Sequence, residues 1–256
     1  MNALIQQIAR QGQSQWYYDN VGMPGLVIAM VFALWHGKKL GVPLWKMVIV
    51  LAAVHFGMMG MMGLIWDYAL IPLYKNSSHG INGIVNSIVR VFAFVPLICL
   101  ICGKLLRVPW EKLCDAMSMH LLLRSAFAQL GCLFTGCCHG YEVSWGLYSP
   151  QTGKYHMPIP IFETVITLAI FGWLLYKIIK GGFQSDGTHF PRMLIYYGIM
   201  RCVCEILRDT TWIIVPFSAI ALHALFLCVA GIVWLCIVKQ RNKKQAADAM
   251  ACKKKT

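Results

Sequence analysis

Apolar stretches of helix length follow one another along most of the chain. They lie at roughly residues 24–35, 43–66, 83–102, 113–135, 159–178, 190–207 and 213–238. About 20 predominantly apolar residues span the hydrocarbon core of a bilayer as a helix. The pattern therefore predicts an all-α polytopic membrane protein with about seven transmembrane helices, the sixth being the shortest and most polar. No internal repeat is evident, which argues against a transporter built from inverted repeats.

The composition supports a membrane protein and argues against a soluble protein that binds nucleic acid. Hydrophobic residues make up 58% of the 256 residues and charged residues only 13%, although the net charge is +13. In a soluble protein that charge would suggest nucleic-acid binding. Here the positive residues lie mostly in short connections and the tail, so membrane topology explains them and no nucleic-acid partner is expected. We expect one transmembrane domain over residues 1–238 and a basic, disordered cytoplasmic tail over residues 239–256.

The positive residues also predict the orientation of the chain. They are concentrated in alternate connections and in the tail: Lys38, Lys39, Lys46, Lys104, Arg107, Lys112, Lys177, Lys180, Arg192, Lys239, Arg241, Lys243, Lys244, Lys253, Lys254 and Lys255. Cytoplasmic loops carry the excess of lysine and arginine in membrane proteins. The rule places the N-terminus outside and the C-terminus in the cytoplasm, which an odd number of helices also requires.

One polar stripe interrupts the sixth apolar stretch. Tyr197, Arg201, Glu205 and Arg208 follow one another in steps of four, four and three residues, which places them on one helical face. An ionised group at the bilayer centre costs roughly 3 kcal/mol or more, so the stripe is expected to face protein, water or a polar ligand. Arg201 and Glu205 either form a salt bridge that fixes helix packing, or bind a phosphate and assist proton transfer.

Other polar groups converge on the same side of the membrane. The third helix begins near His79 and carries Asn82, Asn86 and Arg90 at spacings of four residues. Gln129 lies near the outer end of the fourth helix. The predicted orientation places all of these groups in the outer leaflet, together with the stripe of the sixth helix.

Residues 129–140 read QLGCLFTGCCHG, a glycine-rich and cysteine-rich segment. Gly131 and Gly140 permit close backbone approach or positive φ. Cys137 and Cys138, next to a histidine, match no common metal-site spacing, so no metal is expected. Either thiol is a nucleophile, part of a disulfide, or one of several small residues in a tight turn at a helix end; we favour the turn.

Two further charged groups have two interpretations each, and two histidines have one. Glu163, near the start of the fifth helix, either complements the helix dipole or belongs to the polar site. Arg124, one turn from His120, either forms an internal pair or contributes to the site. His55 and His223 are typical of satisfied interior histidines.

Three blocks of sequence resemble the prolipoprotein diacylglyceryl transferase family. The first is LGCLFTGCCHG, followed by Trp145 and Gly146; the second is PIPIFE at residues 158–163; the third is residues 197–209, similar to YGxxRxxxExxRxD. The specific match is concentrated between about residues 79 and 209. The seven predicted helices and the external N-terminus also agree with that family.

The resemblance implies a bacterial inner-membrane enzyme whose active site faces the outer leaflet and periplasm. Such an enzyme moves a diacylglyceryl group from phosphatidylglycerol to the lipobox cysteine of a prolipoprotein, without a cofactor. It implies catalytic roles for His79, Arg201 and Glu205. The polar stripes and the matched blocks together predict a substrate-binding set, in which Asn82 and Arg90 come from the stripe of the third helix and the others lie in or beside the matched blocks: Tyr197, Arg208, Asn82, Arg90, Gln129, Gly131, Gly140 and Glu163.

The chain departs from the family pattern at several positions. Gln129 stands where the family has an arginine, Cys132 and Thr135 stand at asparagine positions, and Pro160 replaces a glutamine. These changes leave two alternatives open. One is a divergent transferase with another lipid headgroup or acceptor; the other is a non-enzymatic lipid carrier or lipid-binding membrane protein. A carrier is expected to have polar residues along both halves of its helices.

Overall fold

The computed structural model of the chain describes residues 18–61, 88–135, 138–149, 152–208 and 218–253. Within these ranges there are seven α-helices and one two-stranded sheet. A π-helical turn (Tyr18–Gly22) leads into the first helix. The elements are α1 (Met23–Lys39), α2 (Leu44–Met61), α3 (Ile88–Leu106), α4 (Trp110–Thr135), β1 (Glu142–Ser149), β2 (Lys154–His156), α5 (Ile159–Lys180), α6 (His189–Ile206) and α7 (Ala219–Lys253). Each predicted apolar stretch coincides with one helix.

Three helices are long and apolar enough to cross a bilayer by themselves. They lie at Asn20–Lys39, Ile159–Lys180 and Ile220–Asp248, and shorter apolar helices lie at Leu44–Gly57 and Phe92–Leu106. The all-α class is therefore confirmed, and the helices are those of a membrane protein. The count of seven spans and the orientation of the two termini stay predictions.

Helix α4 lies at the centre of the bundle. Residues 113–123 are all buried, on every face of the helix, and α4 contacts α1, α3, α5 and α6. A helix buried on all sides is a core helix rather than a surface helix. Polar groups are buried along most of its length, among them Asp115, Ser118, His120, Ser125 and Gln129. Polar groups are thus buried in both halves of α4; in the first half, Ser118 Oγ donates to the carbonyl oxygen of Asp115, and Asp115 Oδ2 accepts from the backbone N–H of Gly187.

Helices α4 and α6 run in the same direction. Near their starts, Asp115 Oδ1 accepts a hydrogen bond from the backbone N–H of Phe190 (3.0 Å). Further along, Ser125 Oγ donates to the hydroxyl of Tyr197 (3.0 Å). These two contacts fix the register of the pair, and one turn beyond Ser125 and Tyr197 the helices carry Gln129 and Arg201.

Helices α6 and α7 approach each other closely because two glycines face the neighbouring backbone. A Cβ atom at Gly198 would lie 2.7 Å from the carbonyl oxygen of Ala224, and one at Gly231 would lie 2.8 Å from that of Pro191. Small residues at helix interfaces are the usual means of close packing in membranes. This contact holds α7 beside the helix that carries the polar stripe.

Helix α7 continues beyond its apolar part. It extends without interruption through Lys253, whereas the sequence predicts disorder over residues 239–256. The difference follows from composition. Alanine, glutamine, lysine and arginine, which dominate residues 239–252, have high helix propensity and extend a helix that is already nucleated.

The connection between α4 and α5 contains an antiparallel hairpin that the sequence analysis did not predict. Strands β1 and β2 pair Tyr148 with Tyr155 and Ser149 with Lys154. Lys154 Nζ donates to Glu142 Oε2 (2.7 Å) from the other strand, which raises the pKa of the Lys154 amine. Trp145 and Tyr155, two exposed aromatic residues, are thus presented by a short sheet.

A buried carboxylate fixes the start of α6. Asp115, fully buried in α4, accepts hydrogen bonds from Ser185 Oγ (2.9 Å) and from the backbone N–H groups of Gly187, His189 and Phe190 (3.0–3.1 Å). Asp186 in turn accepts from the backbone N–H and hydroxyl of Thr188. Asp115, Asp186 and His189 bring ligand-type atoms within 4.8 Å of one another. Helix capping accounts for the two carboxylates without a metal ion.

Replacing Asp115 with alanine is expected to lower the free energy of unfolding by at least about 2 kcal/mol, because buried N–H groups would lose their acceptor. The substitution Asp115→Asn keeps one acceptor oxygen and is expected to lose less. Unfolding of the detergent-solubilised protein with sodium dodecyl sulfate measures both. Equal stability of Asp115→Ala and the unsubstituted protein would contradict the capping role.

Candidate functional site

A buried cluster of two arginines and two glutamates forms where α5 meets the end of α6. Glu163 of α5 is fully buried, and its two oxygens pair with Arg201 Nη1 and with Arg208 Nη2, the latter at 2.6 Å. Arg201, in the last part of α6, and Arg208, two residues after the end of α6, converge on this one carboxylate. Glu163 therefore belongs to the polar site, and the alternative of a group that only complements the helix dipole is wrong.

Glu205 completes the cluster from α6 itself. Its Oε2 lies 3.3 Å from Arg201 Nη2 and 3.6 Å from Arg208 Nε. Its Oε1 accepts a hydrogen bond from Ser218 Oγ (2.9 Å), and Ser218 also accepts from the backbone N–H of Ala221 as the N-cap of α7. The cluster is thus held by three helices.

Tyr197 extends the stripe one turn toward the middle of the bundle. Its side chain is fully buried, its hydroxyl is bound by Ser125, and its ring lies 4.4 Å from that of Phe92 in α3. Tyr197 therefore connects the charged cluster to α3 and α4. Tyr197, Arg201 and Glu205 of the predicted stripe lie on one buried face of α6, and Arg208, just after the helix, is buried beside them.

Gly140 joins the glycine-rich segment to the cluster. It forms an isolated antiparallel bridge with Arg208, and its N–H donates to the carbonyl oxygen of Met157 (2.9 Å). A Cβ atom at this position would lie 2.7 Å from the carbonyl oxygen of Leu207 and 2.9 Å from side-chain atoms of Met157 and Ile159. Only glycine allows this approach, so Gly140 positions the backbone of Arg208.

Gly140→Ala is expected to destabilise the protein by about 1–3 kcal/mol, since the added methyl group has to displace backbone that holds Arg208. Gly172→Ala in α5 is the matched control, because a Cβ atom there meets nothing within 4 Å. The control is expected to be neutral or slightly stabilising, as alanine favours helix over glycine. Detergent unfolding curves distinguish the two, and equal stability of both variants would refute the packing role of Gly140.

Cys138 lies beside the two arginines. Its φ is 60°, in the left-handed region, and it is close enough to Arg201 and Arg208 for electrostatic interaction with both. The following residue, His139, has its ring centroid 3.9 Å from that of His156. The backbone at Cys138 is therefore in a conformation typical of turns, and the tight turn at the end of α4 stays a prediction. Cys137 lies outside the described residues.

Gln129 is buried on α4, one turn after Ser125, with 5% of its surface exposed. Its Oε1 has no hydrogen-bond partner among the described residues. The parallel register of α4 and α6 places Gln129 at the level of Arg201. Gly131, two residues further along α4, is also buried.

The other predicted residues lie either beyond the described ranges or away from the cluster. His79, Asn82 and Asn86 lie outside the described residues, and Arg90 lies in α3 with its side chain outside the description. Arg124 lies within electrostatic range of His55 and His120. None of the ion pairs of the cluster involves Arg124.

Sequence reasoning missed two residues that hold the cluster, Ser125 and Ser218. Ser218 had a signal that could have found it, because serine directly before an apolar helix is a typical N-cap. Ser125 had no such signal. Its role depends on the register of α4 against α6, which no local pattern encodes.

The net charge of the cluster limits what the site can bind. Two guanidinium groups and two carboxylates sum to zero when all are ionised, so the site is not a bare cationic pocket. Arg201 Nε and Arg208 Nε nevertheless have no hydrogen-bond partner among the described residues, and neither does Glu205 Oε2. The arrangement offers oriented donors to an anionic oxygen and one carboxylate oxygen to a proton.

Fold and site together define a polytopic helical membrane protein with a buried Arg–Glu cluster at one end of its bundle. Residues 23–237 match the prolipoprotein diacylglyceryl transferase family, and the chain belongs to that family, whose members are transferases.

Curated relatives extend this finding. A protein of Clostridium perfringens named phosphatidylglycerol–prolipoprotein diacylglyceryl transferase 2 is 27% identical over 143 residues, 54% of this chain and 56% of its own length. A transferase of that name from Bacillus cytotoxicus is 24% identical over 91% of this chain and 90% of its own length. A third, from Trichormus variabilis, is 27% identical over 161 residues, which are 56% of this chain and 57% of its own length. The matches to the first and third span little more than half of those relatives.

Proposed function

We propose that this protein transfers a diacylglyceryl group from phosphatidylglycerol to the cysteine thiol of a prolipoprotein in the bacterial cytoplasmic membrane. The observation that carries the proposal is the buried Arg201–Glu163–Arg208–Glu205 cluster, in a chain whose relatives bear the name of that activity. Its substrates are then the phospholipid and the signal-peptide region of the acceptor.

The reaction is a displacement at an sp³ carbon. The cysteine sulfur forms a bond to the terminal carbon of the diacylglycerol, and the bond from that carbon to the phosphate oxygen breaks. The electron pair leaves with glycerol phosphate, and the thiol proton passes to a base. Catalysis needs donors for the departing phosphate and an acceptor for the proton.

The cluster supplies groups suited to both needs. Arg201 and Arg208 each have an Nε without a hydrogen-bond partner among the described residues, beside a shared carboxylate. In the proposal these donors stabilise the phosphate, while Glu163 holds both guanidinium planes in place. Glu205, through the oxygen that accepts no hydrogen bond from the described residues, or His79 accepts the thiol proton.

The proposed active site faces the outer leaflet and periplasm. This follows from the predicted external N-terminus, because the start of α1, the end of α6 and the start of α5 then lie on the outer side. Lipid entry between the helices and product exit past the hairpin of β1 and β2 suit this location. The chemistry needs no metal or organic cofactor.

A divergent transferase with another headgroup or acceptor is the second candidate. Gln129 favours it, because a neutral amide lies at the level of Arg201 where the family pattern has an arginine. One wall of the site then carries less positive charge and offers a hydrogen bond instead. A lipid carrier is less well supported: α4 buries polar groups along its length, but Ser118 is bound within α4 and Asp115 is bound to the start of α6.

Complementation separates these functions. A bacterial strain depleted of its own transferase is expected to grow when it expresses this protein, and its lipoproteins are expected to carry the diacylglyceryl group by mass spectrometry. Failure to complement despite verified membrane expression would reject the standard activity. Recovery of lipoproteins that carry a different lipid would support the divergent transferase.

A further inference from the structure

A second, distinct feature lies at the opposite end of the bundle from the Arg–Glu cluster. A groove of about 500 Å³ runs between the start of α4 and the face of α7. Residues at helical spacing along α7 line one side, and the start of α4 lines the other: Phe226, Val229, Ala230, Val233, Trp234, Ile237, Val238, Arg241, Trp110 and Glu111. We call this feature the α4–α7 groove.

The floor of the groove is aromatic. The rings of Trp110 and Trp234 stack with centroids 5.1 Å apart and planes at 24°, and the ring centroid of Phe190 lies 5.4 Å from that of Trp234. The walls are apolar, and Phe226, Val233 and Ile237 are exposed. A groove of this kind accepts hydrocarbon rather than a polar ligand.

One end of the groove is charged. Arg241 closes it with a 2.6 Å contact to Glu111, and 45% of the Arg241 side chain remains exposed. Lys244 follows three residues later on the same face of α7 and is also exposed. Lys239 and Lys243 flank them, so Glu111 is outnumbered by cations at this end.

The dimensions of the groove match one half of a bilayer. The apolar lining of α7 extends from Phe226 to Val238, twelve residue steps or about 18 Å. One leaflet contributes about 15 Å of hydrocarbon. The whole of α7, with 35 residues, is about 52 Å long and must project beyond the bilayer. The charged residues that begin at Lys239 are then at the level of the headgroups.

We propose that the α4–α7 groove binds an anionic phospholipid as a resident lipid. An acyl chain lies on Trp110 and Trp234, and the phosphate is bound by Arg241 and Lys244. The charge of this end favours an anionic over a zwitterionic headgroup, as clustered basic residues do at a membrane surface. The site is separate from the Arg–Glu cluster, and the inference does not depend on the proposed transferase activity.

Native mass spectrometry of the purified full chain tests the site directly. The protein is equilibrated with mixed micelles of phosphatidylglycerol and phosphatidylcholine, and the lipids that it retains are counted. Arg241→Gln combined with Lys244→Gln is expected to reduce the preference for phosphatidylglycerol about tenfold. Ala230→Phe, which fills the groove, is expected to reduce retention of either lipid.

A matched control removes the same charge elsewhere. Lys177 and Lys180 lie at the end of α5, each over an aromatic ring outside the groove, and Lys177→Gln with Lys180→Gln is expected to retain phosphatidylglycerol normally. Parallel measurement of Arg201→Lys separates this lipid from any lipid bound at the cluster. An unchanged preference for phosphatidylglycerol in the Arg241/Lys244 variant would overturn the proposal. So would a purified protein that is a dimer and becomes a monomer with Ala230→Phe, because a second copy would then occupy the groove.

Discussion

Glu163→Ala is expected to lower the free energy of unfolding by about 3–5 kcal/mol, the largest stability effect of any single substitution in the cluster. The carboxylate is fully buried and is shared by Arg201 and Arg208. Its removal leaves two buried guanidinium groups with only Glu205 between them, so the cluster changes from neutral to positive. Unfolding with sodium dodecyl sulfate in detergent micelles measures the loss.

Glu142→Gln provides the control for Glu163→Ala. Glu142 also pairs with a cation, but that pair is exposed in the hairpin, and exposed ion pairs add little to stability. We expect no measurable change. If Glu163→Ala were as harmless as Glu142→Gln, the buried pairs would not be holding α5 to α6.

The second large effect is expected on activity. Arg201→Lys keeps the positive charge beside Glu163 and Glu205 but loses the planar set of donors, including Nε. If Arg201 stabilises the departing phosphate, the transfer rate is expected to fall about 100-fold, the usual result of removing one such donor. The readout is lipid transfer to a lipobox peptide by protein that remains folded in detergent.

Arg192→Lys is the matched substitution on the same helix. Arg192 lies in the first turn of α6, at the opposite end from the cluster, and this variant is expected to keep full activity. Comparable rates for Arg201→Lys and the unsubstituted protein would remove Arg201 from the chemistry and leave the cluster with a packing role only.

Much of the fold could be predicted because each helix carries its own signal. Apolar runs identified the seven helices found among the described residues, and the four-residue spacing identified the stripe of α6 before any tertiary information. The hairpin of β1 and β2 was missed because apolar and polar residues alternate only weakly along its strands. Its aromatic residues are also typical of loops at the membrane–water interface. The helical conformation of residues 239–253 was missed because their charge alone suggests a solvated, disordered tail. These residues also have high helix propensity, so they continue the helix that the apolar part of α7 begins.

The site was only partly predictable, because its partners come from distant parts of the chain. The phase of the stripe shows that Arg201, Glu205 and Arg208 share a face, but not that Glu163 bridges two of them. The contacts of Ser125 with Tyr197 and of Ser218 with Glu205 depend on the packing of α4 and α7 against α6. The sequence suggested an Arg201–Glu205 salt bridge as one alternative, while the structure pairs both arginines with Glu163 as well.

The central claim is that this cluster transfers a diacylglyceryl group to a thiol with phosphate as the leaving group. Mass spectrometry of a synthetic lipobox peptide, incubated with the purified protein in phosphatidylglycerol vesicles, tests it most directly. The account predicts a peptide that gains a thioether-linked diacylglyceryl group, together with released glycerol phosphate, and a roughly 100-fold slower gain with Arg201→Lys. An unmodified peptide with folded, unsubstituted protein, or equal modification by both proteins, would contradict it.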